Sequence, residues 1–337
     1  MPTQTAPSPG RLMAAEIAEQ PAVLARLLAD GAAEIALLRA RIDAFRPRMV
    51  LIVARGTSDH AALYAKYLVE VRRQLPAGLV SPSTLTLYGA RPDLAGVLFL
   101  AISQSGGSPD LVGSVEAARS GGALTVAVTN SAASALATAA EHHVDIRAGV
   151  ERAVAATKTY TAELLALYLL LCGGDAAAVP EVAERTLAGA PAAYAAAERY
   201  RPVQRLVTIG RGYSYPTARE AALKLMETSY LSAQAFSGAD LLHGPFAMIG
   251  PEVPAIAVAT PGVGGTAMQP VLARLAEAGA DVLRVGADLP VEVAGLAEEL
   301  HPILEILPLQ QLAWRLALDR GGDPDRPRGL SKVTRTW

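Results

Sequence analysis

Cysteine is almost missing: Cys172 is the one thiol in 337 residues. A lone thiol forms no intrachain disulfide, so the chain fits a reducing compartment and is expected to be cytoplasmic. A basic surplus is missing as well. Lys and Arg number 30 against 32 for Asp and Glu, a formal net charge of −2. Binding to a phosphate backbone needs a positive surplus, so nucleic acid is not an expected partner. Long apolar runs are absent despite a mean hydropathy of +0.28. The longest candidate, Leu164 to Cys172, is about half of the roughly 20 residues that a bilayer span needs, so no membrane association is expected. The opening MPTQTAPSPGR has no apolar h-region and reads as a frayed terminus rather than a signal peptide. There is no Walker A run and no HExxH. His142-His143 lacks ligand spacing and no Cys/His cluster exists, so no metal site is expected.

Apolar residues are what the chain does have. They make up 51% of it, enough for one large core or two ordinary ones and too many for disorder. Residues 12–46 carry helical periodicity at Leu24, Leu27, Leu28, Ile35, Leu37 and Leu38. Met49–Gly56 is a short β-branched run ending at glycine, read as a buried parallel strand, with Ser58 capping a helix to about Arg73. The unit recurs: strand Val97–Ser103, turn Gln104–Ser108, helix Pro109–Arg119, strand Leu124–Thr129. Helix Ser131–Glu141, strand Val144–Ile146 and helix Thr157–Cys172 follow. After a helical bridge the pattern restarts with strand Arg205–Ile209 and helix Tyr215–Tyr230. Strand Ala255–Ala259, helix Thr266–Ala278, strand Asp281–Val285 and helix Leu309–Leu318 complete it. Alternating strands and helices predict parallel α/β sheets. The restart reads as an internal repeat: VARGTSDHAA (53–62) matches TIGRGYSYPT (208–217) through Arg55, Gly56, Ser58 and Arg211, Gly212, Ser214.

Three groups of residues could carry chemistry. Ser103-Gln104-Ser105-Gly106-Gly107-Ser108 ends a strand and opens a helix, where open α/β sheets bind ligands. Its hydroxyls and free N–H groups, with Gly56-Thr57-Ser58 on the neighbouring strand end, form a neutral cradle for phosphate. Simple helix capping is the other use of such residues. Glu220, Lys224 and Glu227 stand four and three apart on one helix face with apolar flanks, which points to buried charge suited to proton transfer rather than a solvated ion pair. His243, in LLHGPFAMI, is placed at an element end by Gly-Pro, and serves either structure or catalysis. Gly262-Val263-Gly264-Gly265-Thr266-Ala267 fits a loose G-x-G-x-x-A but follows a late strand, and reads as an ordinary turn.

These segments, in order, resemble a family. ARGTSDHAALYAKYLVE (54–70), ISQSGGSPD (102–110), VAATKTYTAEL (154–164), GRGYSYPTAREAALKLMETSY (210–230), LLHGPFAMI (241–249) and PDRPRGLSKVT (324–334) resemble proteins with two tandem SIS (sugar isomerase) domains. The chain is similar to the isomerase half of glucosamine-6-phosphate synthase and to glucosamine-6-phosphate deaminases. The resemblance implies two doubly wound, flavodoxin-like parallel sheets: 1–46 tail and helices, 47–175 first domain, 176–200 linker, 201–321 second domain, 322–337 C-terminal loop. It implies that Thr57, Ser58, Ser103, Gln104, Ser105 and Ser108 hold a sugar phosphate. Glu227 matches the carboxylate that moves a proton between C1 and C2, with Glu220 and Lys224 as its neighbours. His243 matches a ring-opening histidine given by the partner subunit of a homodimer. Lys332 matches a lysine near the carbonyl carbon, and Val154 and Glu151 line the amino-sugar side. No cofactor is implied.

Two positions depart from the synthase pattern: Asp240 where Glu is usual, and Ala156 where the synthase has serine. About 35–45 residues precede the first strand, residue 2 is proline, and Cys172 falls mid-chain, so no glutaminase domain is expected. The expected reaction is therefore deamination of D-glucosamine 6-phosphate to D-fructose 6-phosphate and ammonium. A fructosamine-type 6-phosphate deglycase, or a deaminase of another amino-sugar phosphate, is the alternative, and a non-catalytic sugar-phosphate sensor the third reading.

Overall fold

The structure, a computed structural model, describes residues 8–333. The start of the proline- and serine-rich opening and the last four residues lie outside that range.

Seven consecutive buried residues, VLFLAIS, form the central strand of the first half, and their apolar side chains alternate between two faces. Val97, Phe99 and Ala101 face Leu111 and Val115 of the helix Pro109–Ser120. Leu98, Leu100 and Ile102 face the larger core, with Tyr160, Leu164 and Leu167 of the helix Lys158–Leu171. With helices on both faces, the strands are entirely parallel. They are β1 (Met49–Val53), β2 (Ala77–Leu79), β3 (Val97–Ser103), β4 (Leu124–Thr129) and β5 (His142–Asp145), in the order β2-β1-β3-β4-β5. The chain leaves β1 to one side for β2 and returns to the other for β3. The crevice beyond the ends of β1 and β3 is thus the switch point at which such sheets bind ligands.

The second half repeats this plan. β6 (Arg205–Gly210), β7 (Ser232–Ser237), β8 (Ala255–Val258) and β9 (Val282–Val285) are parallel in the order β7-β6-β8-β9, so β6 and β8 stand where β1 and β3 stand. Gly56 and Gly212, in the two Arg-Gly-x-Ser motifs, both take φ of 58°. The helices Val179–Ala188 and Ala190–Tyr200 bridge the halves, and the large core runs through Val179 and Ala197 to Ile256, Val258, Leu304 and Leu312.

Several elements differ from the sequence expectation. Residues 12–46 are three helices, Arg11–Ala18, Gln20–Asp30 and Ala32–Phe45, separated at Glu19 and Gly31. The expected Ser131–Glu141 helix shrinks to Ala135–Ala139, whereas the last helix extends over His301–Asp319 with Pro308 inside it. The helix after β1 is α-helical over Thr57–Leu68 and widens to a π turn over Val69–Arg73. Two edge strands, β2 and β7, have no counterpart in the sequence reading. No described helix is long and apolar enough to cross a membrane.

Candidate functional site

A cavity of about 360 Å³ opens at the switch point between β1 and β3. Thr57 and Ser58 reach it from the end of β1, and Ser103, Gln104, Ser105 and Ser108 from the end of β3. The hydroxyls are not occupied by capping. Ser108 holds the N-cap position of the Pro109–Ser120 helix yet makes no side-chain cap bond. Ser58 does not cap its helix either, correcting the sequence reading, and its Oγ is hydrogen-bonded instead to Glu163 Oε1 at 2.8 Å. Gly106 takes φ of 60°, and a Cβ there would meet Ser134 Oγ at 2.3 Å, so only glycine lets the loop close this tightly. Arg55 also lines the cavity, and its charge is answered by Asp110 at 2.9 Å, leaving the cradle close to neutral.

Charged side chains line the cavity as well. Glu227 lines the cavity from the helix Ser214–Ser229, its side chain 20% exposed. Lys224 is fully enclosed on the same helix, 2.6 Å from Glu227 Oε2 and 3.2 Å from Glu220 Oε1. Lys224 is thus ion-paired with both carboxylates of its helix. Burial alone would push the Lys224 ammonium down, but the two carboxylates hold it well above its usual value. Lys224 donates to Thr57 Oγ1 at 3.0 Å, and Glu220 Oε2 lies 2.7 Å from His60 Nδ1. Glu220 and Lys224 thus sit behind the wall and fix Glu227 and Thr57 upon it.

Lys332 arrives from the C-terminal loop and lines the cavity with Leu330, Ser331 and Val333. Its Nζ lies 2.5 Å from Glu151 Oε2. Glu151 is buried behind the lysine, where it also accepts from Thr157 N at 2.9 Å, Thr159 N at 3.1 Å and Thr159 Oγ1 at 2.7 Å. Burial alone would raise this carboxyl, but Lys332 and the three donors hold it below its usual value. Val154 and Ala156 complete the rim, and Ala156 presents a methyl group.

Of the residues singled out in the sequence, one is not on the cavity or against its wall. His243 is exposed at the end of the short helix Gly238–Leu242 and does not line the cavity within its own chain. Among the described residues no cluster of His, Cys, Asp and Glu is arranged to hold a metal ion. Sequence reasoning missed Arg55, Thr159 and Glu163. Glu163 had a signal: it is the lone acidic residue of a helix otherwise carrying KTYTA and LLALYLLL.

The switch point of the second half is built differently. The helix Val263–Glu277 starts at the position of the Gln104–Ser108 loop in the first half, and Glu298 accepts from Val263 N at 2.9 Å and Gly264 N at 2.8 Å. A carboxylate of the chain itself occupies that helix N-terminus, the place where an anion would dock. The loose glycine motif is therefore an ordinary turn, closed by Glu298.

Similarity to known proteins follows the same division. The SIS domain model matches residues 45–172 and 200–283, the two sheet-bearing segments. A glutamine–fructose-6-phosphate aminotransferase (isomerizing) of Methanothermobacter thermautotrophicus is 34% identical over 302 residues, 84% of this chain and 51% of the relative. The chain thus spans about half the length of this curated relative. Among solved structures, a proposed phosphosugar isomerase from Silicibacter pomeroyi DSS-3 is 35% identical with a TM-score of 0.79, covering 93% of this chain and 99% of that one. The C-terminal domain of the glucosamine-fructose-6-phosphate aminotransferase of Francisella tularensis is 25% identical with a TM-score of 0.82, covering 94% and 98%. Two matched segments, two parallel sheets of one plan and homology to that aminotransferase domain lead to one conclusion: the chain belongs to the SIS domain family, with two SIS segments in tandem.

Proposed function

We propose that the chain is an amino-sugar-phosphate deaminase/isomerase that converts D-glucosamine 6-phosphate and water to D-fructose 6-phosphate and ammonium. Homology to the aminotransferase domain and to a proposed phosphosugar isomerase supports sugar-phosphate isomerase chemistry at the coarser level. The observation that carries the reading is one cavity lined both by hydroxyl-bearing loops and by Glu227 and Lys332. A phosphate held by the hydroxyl loops keeps the sugar carbons within the same cavity as Glu227 and Lys332, so binding energy remote from the reacting atoms orients them.

In this reading His243 of a partner subunit assists ring opening. Glu227 takes the proton from C2 and returns it at C1, passing through an enolamine. Water adds at C2 of the resulting ketimine and ammonium leaves. Lys332 stands near the carbonyl carbon and Glu151 holds it there.

Deamination is the direction we propose for this site, with no part for the thiol. The chain's one thiol, Cys172, lies just past the Lys158–Leu171 helix beside Arg39 and Arg73, in a separate hollow. Burial pushes that thiol up to about 11, far from the thiolate that would attack an amide nitrogen donor. Incubation with glucosamine 6-phosphate tests the reading, with ammonium and fructose 6-phosphate measured together. Equal amounts of both are expected. Turnover of fructosamine 6-phosphate in its place would replace the deaminase by a deglycase, and binding without any product would leave a sensor.

A further inference from the structure

Glu163 stands on the cavity wall with no part in the chemistry above. It is 1% exposed. Its Oε1 lies 2.8 Å from Ser58 Oγ, and its Oε2 is buried with no hydrogen-bond partner. The second half repeats the pair with one difference. Ser214, the counterpart of Ser58, lies 2.8 Å from Glu305 Oε1. There both oxygens are engaged, since Thr217 donates to Oε2 at 3.1 Å and Thr260 donates to Oε1. In the half whose anion site is filled by Glu298, the repeated carboxyl is fully bonded. In the half with the open cavity, it is not.

A serine hydroxyl has one proton, and an ionised carboxylate can only accept. Beside an ionised Glu163, the Ser58 proton must point at the carboxylate and its lone pairs at the cavity. Beside a neutral Glu163, Ser58 can accept from the acid and direct its own proton outward. We propose that Glu163 is a positioning residue that sets the direction of the Ser58 hydroxyl: protonated, it makes Ser58 a donor to the phosphate of the bound sugar, and deprotonated, it turns that donor away. The proposal rests on the sugar-phosphate reading of the site and adds a condition to it, that the cradle admits an anion only while Glu163 is neutral.

The surroundings favour the neutral form. An unpartnered buried oxygen is far more costly on a carboxylate than on a neutral acid. Burial pushes Glu163 up to about 8, against the bond from Ser58, with Glu151 and Glu220 adding to the rise and Lys332 opposing it. Glu151 faces it from the 151–157 loop, Lys332 from the C-terminal loop and Glu220 from the Ser214–Ser229 helix. Tyr160 stands one turn before it on its own helix. Glu220 is itself paired with Lys224 at 3.2 Å and with His60 at 2.7 Å.

Calorimetric titration of the full chain with fructose 6-phosphate between pH 7 and 9.5 tests this, because the phosphate ester is already close to a dianion throughout, with its second pKa near 6. Wild-type affinity should fall about tenfold from pH 7 to pH 9, as the competent fraction falls to about a tenth. Glu163→Gln donates to Ser58 at every pH, so its pH 7 to pH 9 affinity ratio should be near one. Ser58→Ala should bind weakly with an equally flat profile. A Glu163→Gln profile as steep as wild type overturns the proposal and leaves the sugar-phosphate reading intact. No binding by the wild type at any pH, or undiminished binding by Ser105→Ala, overturns that reading and the proposal with it.

Discussion

Lys224 has no exposed surface and two carboxylates within 3.2 Å, so its charge serves to place other groups. It bonds Thr57 and holds Glu227 with the same ammonium, linking the proposed anion cradle to the proposed base through one side chain. Glu227→Gln keeps the shape but cannot accept a proton. Turnover should fall about 10²–10⁴-fold, the usual range for a lost general base. Solvent-deuterium exchange at the substrate's C2 should fall with it, whereas sugar-phosphate affinity, set by the hydroxyl loops, should change little. Exchange at the wild-type rate would move the role to another residue, Glu220 first. At this scale the sequence was legible where chemistry clusters along the chain. Hydroxyls at Ser103, Ser105 and Ser108 and charges at Glu220, Lys224 and Glu227 declare themselves by spacing. Glu163 was hidden because its meaning lies in Ser58, 105 residues away. The same holds for Arg55, whose charge is read only with Asp110.

The helix Arg11–Ala18 begins at Gly10, which has no side chain to cap it. Asp325 takes that role from the far end of the chain, its Oδ2 accepting from Leu12 N and its Oδ1 from Met13 N, both at 2.8 Å. Asp323 Oδ1 accepts from Gly10 N at 2.9 Å. The same helix carries Glu16, which accepts from the backbone of Arg152 and Ala153, next to Glu151. Asp325→Ala should lower stability by about 1–2 kcal/mol, the size of a lost cap, read from urea unfolding. It should also slow turnover, because Lys332 follows seven residues later on the same loop, and Asp325→Asn should recover part of the stability. Central strands were legible to the residue: β3 and β4 fall where their apolar runs fall. The edge strands were not. β2 has three residues, and β7 reads SAQAFS, small and polar because its outer edge meets no further strand. The three opening helices were legible as helix but not as three, although Pro21 and Gly31 mark the two breaks by residue type.

At the scale of the molecule the two sheets share one large core, and bridging helices seal it. What the single chain leaves outside its own site is His243, on an exposed segment flanked by the partly exposed Leu242 and Met248. In the proposed homodimer that segment reaches the partner's cavity. Mixed His243→Ala and Glu227→Gln chains, each inactive alone, should then regain about a quarter of wild-type activity at equal ratio, since half the dimers are hybrid and one of their two sites is intact. No recovery after confirmed subunit exchange would place every site residue on one chain. The tandem repeat was legible in Arg-Gly-x-Ser, but its asymmetry was not, because only the folded chain brings Glu298 to the turn at Val263. The pairing of Asp325 with the first helix bears also on how the protein is made. A ribosome delivers residues 11–18 well before residues 323–332, so the nascent first half emerges with its opening helix uncapped and its cavity lacking Lys332. A chain that stops short of residue 332 holds the hydroxyl loops without the lysine, and the cavity is lined in full only once that loop has been made.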